Sequence, residues 1–124
     1  MDQDYLESLY GLEGKVIVIT GGGGVLCGTM ARGLAKLGAK VVVLDILPEA
    51  AQKVVDDIEA AGGEAIALRA DVLDKASLEF CRAQILETYG TIDMLINGAG
   101  GNKKQATTSP DLSFFDLPED AFQW

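Results

Sequence analysis

The residues of this chain whose types and spacing could do chemistry are the run Thr20-Gly21-Gly22-Gly23-Gly24 and, further on, Asp45. Every glycine adds backbone entropy that folding must remove, so four in succession exceed what a tight turn needs. Set between a strand and a helix, such a run lets an anion approach the unpaired N–H groups at the helix N-terminus. That chemistry suits a pyrophosphate. A carboxylate at the end of the following strand is placed to accept hydrogen bonds from both hydroxyls of an adenosine ribose. Together the two features point to a dinucleotide. A ribose 2′-phosphate about 4 Å from Asp45 would be repelled by roughly 4 kcal/mol at an effective dielectric near 20, which disfavours NADP by about a thousandfold. No Lys or Arg lies between Asp45 and Lys53 to offset this, so the expected cofactor is NAD, with NADP less suited. The plainer alternatives are a tight strand-to-helix turn for the glycines and a helix cap or solvated turn for Asp45.

Other chemistries fit less well. Positions 26 and 27 hold Leu26 and Cys27, so there is no Gly-x-Gly-x-x-Gly, and Gly28-Thr29 lacks the lysine of a triphosphate loop. The chain has no histidine, the commonest general base and transition-metal ligand. Cys27 and Cys81 lie too far apart for metal-ligand spacing and read as reduced thiols of a cytoplasmic protein. Cys27 near a helix N-terminus admits two roles, a redox thiol or packing behind the glycine loop. A methyltransferase also uses a glycine loop and an acid after the second strand, and is a further functional class that these two features admit.

The elements that must position these residues alternate regularly. Val16-Ile17-Val18-Ile19 and Val41-Val42-Val43-Leu44 are unbroken apolar runs, as in strands buried on both faces. Ala65 to Ala70 and Met94-Leu95-Ile96 supply two more. Between them, helical spacing runs from about Gly28 to Leu37, from Pro48 to Gly62-Gly63, and from an Asp74 cap to Gly90. A loop from Asn97 to Ser113 follows, and Pro118 and Glu119 open another helix. Repeated strand–helix–strand units with right-handed crossovers make an α/β, Rossmann-type, doubly wound parallel sheet in three layers. The whole chain, 1–124, reads as one such domain, with residues 1–13 as an N-terminal extension.

The net charge of −9 argues against nucleic acid and anionic membranes as partners. No apolar run is long enough to span a bilayer. The acidic stretch Met1 to Tyr10 lacks the basic-then-apolar pattern of a signal peptide.

Three motifs carry a resemblance. Leu12-Glu13-Gly14-Lys15-Val16 with Thr20-Gly21, Asp71-Val72 after the third strand, and Asn97-Gly98-Ala99-Gly100 after the fourth resemble the short-chain dehydrogenase/reductase family in order and position. The resemblance implies the first four strands of that fold, in the order 3-2-1-4. It implies a cofactor site built from Thr20, Gly21, Gly23, Gly24, Val25, Leu26, Asp45, Asp71, Val72, Asn97, Gly98, Ala99 and Gly100. Two departures from the family pattern involve three positions. Val25 and Cys27 stand where the second and third loop glycines fall, with Gly24 expected to take over the close approach. Gly98 replaces the second asparagine of Asn-Asn-Ala-Gly, at the expected cost of a side-chain hydrogen bond.

The wording of the loops is similar to a branch described as D-mannonate oxidoreductases (fructuronate reductases) or gluconate 5-dehydrogenase-like enzymes. This implies a small polar substrate, a sugar acid such as mannonate or fructuronate, and a homo-oligomer. Lys103 and Lys104 are candidates to attract its carboxylate, or else a solvated pair. The family's tyrosine and lysine, four residues apart, have no match: four residues after Tyr5, Tyr10 and Tyr89 stand Leu9, Gly14 and Asp93. The expectation is therefore a cofactor-binding portion of an oxidoreductase without catalytic residues of its own. The alternative is a non-catalytic dinucleotide-binding module complete at this length. In the order 3-2-1-4, Met94-Leu95-Ile96 forms an apolar edge strand expected to self-associate.

Overall fold

A computed structural model describes residues 2–101 and 104–122. Four strands, β1 (Val16–Thr20), β2 (Lys40–Asp45), β3 (Glu64–Arg69) and β4 (Met94–Asn97), pair in parallel in the order β3-β2-β1-β4. The register sets Thr20 beside Leu44 and Asn97, and Asp45 beside Arg69, so the residues that end the strands share one edge of the sheet.

Two apolar layers enclose the sheet. On one face Ile17, Ile19, Val41 and Val43 pack against Ala31 and Ala35 of α2 (Val25–Lys36) and Val54, Val55 and Ile58 of α3 (Pro48–Ala60). On the other, Val16, Val18, Val42 and Leu44 meet Cys81 and Ile85 of α4 (Lys75–Tyr89). Alternation of side chains along each strand makes both layers apolar at once, which is why the strands read as unbroken apolar runs.

Helix ends follow the residue chemistry. Asp74 accepts the N–H of Ala76 at 3.0 Å to cap α4, and Gly90 closes it in the left-handed conformation. Pro48 opens α3, and Gly38 turns the chain out of α2 with φ 86°.

The boundaries depart from expectation in three places. Helix α2 starts at Val25 rather than near Gly28, with Gly24 as its cap. Gly28 lies inside the helix because a Cβ there would come within 3.2 Å of Val54 Cγ2 and 3.3 Å of the Gly22 carbonyl, so close packing offsets glycine's poor helix propensity. The N-terminal extension contains α1 (Gln3–Tyr10), capped by Asp2 through the Asp4 N–H at 3.1 Å, and it buries none of its residues. The stretch after β4 contains two short 3-10 turns, Lys104–Ala106 and Phe114–Asp116, before α5 (Glu119–Phe122). No helix among the described residues is long and apolar enough to cross a membrane.

Candidate functional site

The C-terminal edge of the sheet gathers every residue of the expected site. Thr20 ends β1 and is buried, its hydroxyl oxygen accepting the N–H groups of Gly98 (3.0 Å) and Ala99 (3.1 Å). The loop after β4 is thereby fixed to the loop after β1. Gly21 takes φ 64°, and a Cβ on it would stand 2.8 Å from the Gly98 carbonyl oxygen. Only glycine satisfies both conditions.

The next three glycines each meet a different neighbour. A Cβ on Gly22 would lie 2.8 Å from Val43 Cγ1, and one on Gly23 2.8 Å from Ala50. Gly24 caps α2 without a side chain, and its own N–H donates to the Gly21 carbonyl at 3.1 Å. The glycines therefore seat the loop flat on β2 and α3. The N–H groups of Val25, Leu26 and Cys27, the first turn of α2, find no acceptor among the described residues. Val25 (92 %) and Leu26 (73 %) are exposed, so their side chains leave that turn of backbone open.

Asp45 is half-buried and does structural work of its own. One carboxylate oxygen accepts the N–H of Gly23 and the other the N–H of Leu47, both at 3.0 Å. The first bond ties the end of β2 to the glycine loop, and the second is a local turn ahead of α3. Each oxygen keeps a further lone pair for a ligand. Asp71 is anchored one strand over. Its N–H donates to the Ser77 hydroxyl, its carboxylate accepts the N–H of Leu73, both at 3.0 Å, and Ala70 before it donates to the Asp45 carbonyl at 2.9 Å. Val72 beside it is partly exposed, as are Asn97 and Gly100.

A dinucleotide fits this arrangement because the glycines let the loop lie close against β2, α3 and the β4 loop, and the first turn of α2 keeps three N–H groups without a partner among the described residues, the donor set a pyrophosphate needs. Val25 does not crowd the loop, since its side chain turns to solvent. Gly98 departs from expectation in a different way. Its missing side chain is a packing requirement rather than a lost hydrogen bond, because a Cβ there would collide with Cys27 Sγ and lie 2.6 Å from the Thr20 carbonyl oxygen. Cys27 itself is buried against Gly98. Lys104 is exposed in the turn after β4, and Lys103 lies outside the described residues. Among the described residues no group of acids, cysteines or histidines could hold a metal. Arg69, at the end of β3, was not singled out by the sequence, because only strand register brings it beside Asp45.

Comparison with known proteins agrees with this geometry. The family described as short chain dehydrogenase matches residues 15–117. An uncharacterised oxidoreductase of Bacillus subtilis is 50% identical over 119 residues, covering 90% of this chain and 43% of its own. The 7alpha-hydroxysteroid dehydrogenase of Escherichia coli is 37% identical over 103 residues, covering 83% of this chain and 40% of its own. A solved structure described as a "putative D-Mannonate oxidoreductase from Haemophilus influenza", with bound NAD, superimposes with a TM-score of 0.79 at 40% identity, covering 95% of this chain and 46% of that one. The chain thus spans less than half the length of these relatives.

Proposed function

The chain belongs to the short chain dehydrogenase family, and from that premise we propose that it is the NAD-binding portion of an oxidoreductase that interconverts a secondary alcohol and a ketone. The observation that carries the reading is the joining of three strand-end loops around the open first turn of α2. Thr20 fastens the β4 loop, Asp45 fastens the glycine loop, and the N–H groups of Val25, Leu26 and Cys27 at the same end of the sheet have no partner among the described residues.

In this reading the backbone from Gly21 to Cys27 holds the pyrophosphate, with Val25 and Leu26 along its rim. Asp45 takes the adenosine ribose, Asp71 and Val72 the adenine, and Asn97, Gly98, Ala99 and Gly100 the inner ribose and nicotinamide. The bound dinucleotide supplies the hydride acceptor. NAD is preferred to NADP because Asp45 is held in place by two backbone N–H groups and cannot turn away from a 2′-phosphate. The substrate class is a sugar acid such as mannonate or fructuronate, supported by the NAD-bound neighbour's description and by the exposed Lys104 in the turn after β4. A cytoplasmic location and a homo-oligomer complete the proposal.

The second reading is a dinucleotide-binding module without chemistry. Calorimetric titration of the chain with NAD, NADP and S-adenosylmethionine tests the shared core of both readings. Saturable NAD binding is expected, lost in Asp45→Ala, and preference for S-adenosylmethionine would overturn it. Because the chain lacks the family's tyrosine–lysine pair, the two are separated on the protein as purified from its source, where a rise in absorbance at 340 nm on adding mannonate and NAD favours the oxidoreductase, and NAD binding without it favours the module.

A further inference from the structure

Arg69 ends β3 directly beside Asp45 in the parallel register. Both side chains stand on the same face of the sheet. Along β2 that face is marked by Val41 and Val43, and along β3 by Ala65 and Ala67, all packed toward α2 and α3. Neighbouring strands are about 4.8 Å apart, so the ribose end of a dinucleotide held by Asp45 lies within the span of an arginine side chain. Arg69 is exposed and makes no ion pair among the described residues. The Asp45 carboxylate accepts the N–H groups of Gly23 and Leu47 and forms no ion pair with Arg69. The strand end that carries Arg69 is fixed on both sides. Its carbonyl accepts the Cys81 thiol at 3.3 Å, and Ala70 after it donates to the Asp45 carbonyl at 2.9 Å.

We propose that Arg69 sets how steeply the site discriminates between NAD and NADP, its guanidinium offsetting part of the repulsion between Asp45 and a ribose 2′-phosphate. An arginine presents five N–H donors in a planar fork that matches phosphate geometry, and it keeps its charge at any working pH. NAD offers it no phosphate at that position, so the residue acts on one cofactor and not the other. The site is then selective for NAD, but less so than Asp45 alone would make it. This inference rests on the dinucleotide-binding reading above.

The test is calorimetric titration of the chain, its Arg69→Gln variant and its Arg69→Lys variant with NAD and with NADP, after circular dichroism has verified the fold of each. Arg69→Gln is expected to weaken NADP by about tenfold while leaving NAD within about twofold. Arg69→Lys, which retains the charge, is expected to keep most of the NADP affinity, and raising the salt is expected to shrink the difference between Gln and Lys. Equal weakening of both cofactors in Arg69→Gln, or no change in either, overturns the inference while leaving the NAD site standing. So does an unaltered chain that binds NAD but not NADP at all. Failure of the unaltered chain to bind NAD instead overturns the reading on which the inference rests.

Discussion

The sulfur of Cys27 stands where a Cβ on residue 98 would have to be. These are two of the positions at which the chain departs from its family's motifs, one gaining a side chain and the other losing one. The geometry makes them a single exchange, with the Cys27 side chain filling the space that Gly98 leaves. Gly98→Ala is therefore expected to destabilise the chain, and Cys27→Gly to cost about 1 kcal/mol for a glycine inside a helix. The double variant is expected to be more stable than the sum of the two, with a coupling of about 0.5–3 kcal/mol. The contact with the Thr20 carbonyl at 2.6 Å remains in the double variant, so recovery is partial. Urea melts of the four proteins measure the coupling, and strict additivity would remove the argument.

Thr20 holds the β4 loop through one oxygen atom. Thr20→Val keeps the shape and deletes the acceptor, stranding the N–H groups of Gly98 and Ala99 beside a buried site. Gly98 and Ala99 are themselves exposed, so water takes up part of the loss and each broken hydrogen bond costs about 1 kcal/mol, which in a domain of this size lowers Tm by several degrees. Thr20→Ser retains the oxygen and is expected to lose much less. Thermal melts compare the two, and equal losses would assign the effect to the methyl group instead.

Much of this architecture is legible in the residues themselves. Val16 to Ile19 and Val41 to Leu44 announce buried parallel strands because no position in either run is polar, and Asp74 with Gly90 marks both ends of α4. The start of α2 is harder to read. Val25 and Leu26 point to solvent, so they contribute nothing to the apolar period by which a helix is recognised. Helix α1 is invisible for the same reason, since none of its residues is buried. The bond from Gly23 to Asp45, the clash between Cys27 and Gly98, and the pairing of Asp45 with Arg69 all join residues more than 20 positions apart. Spacing along a chain carries no information about such contacts; strand register does.

Strand β4 leaves apolar surface on the outside of the sheet, with Met94 at 42 % and Leu95 at 56 % exposure. Unpaired N–H and C=O groups beside such side chains invite pairing with another strand. The 124-residue chain studied by itself is expected to self-associate through this edge. Leu95→Lys, which adds a charge to that edge, is expected to raise the monomer fraction in sedimentation velocity. A chain that sediments as a monomer without the substitution, at the concentrations used for titration, would remove this expectation.

Burial raises the pKa of the Cys81 thiol, and the thiol donates to the Arg69 carbonyl at 3.3 Å, which a thiolate could not do. In the unfolded chain the same thiol ionises near its ordinary value of about 8.5. Above that pH the unfolded state releases a proton that the folded state keeps, so ionisation favours unfolding. The stabilisation is complete below the unfolded pKa and is lost as pH rises through the higher, folded one. Tyr89, raised by burial and by the charges of Glu64 and Glu59, adds the same trend at more alkaline pH. Cys81→Ser keeps a donor that does not titrate there. Urea midpoints measured from neutral to mildly alkaline pH are therefore expected to fall for the chain and to fall less for Cys81→Ser. Parallel profiles would mean that the buried thiol does not govern the alkaline limit, and that groups elsewhere in the fold set it.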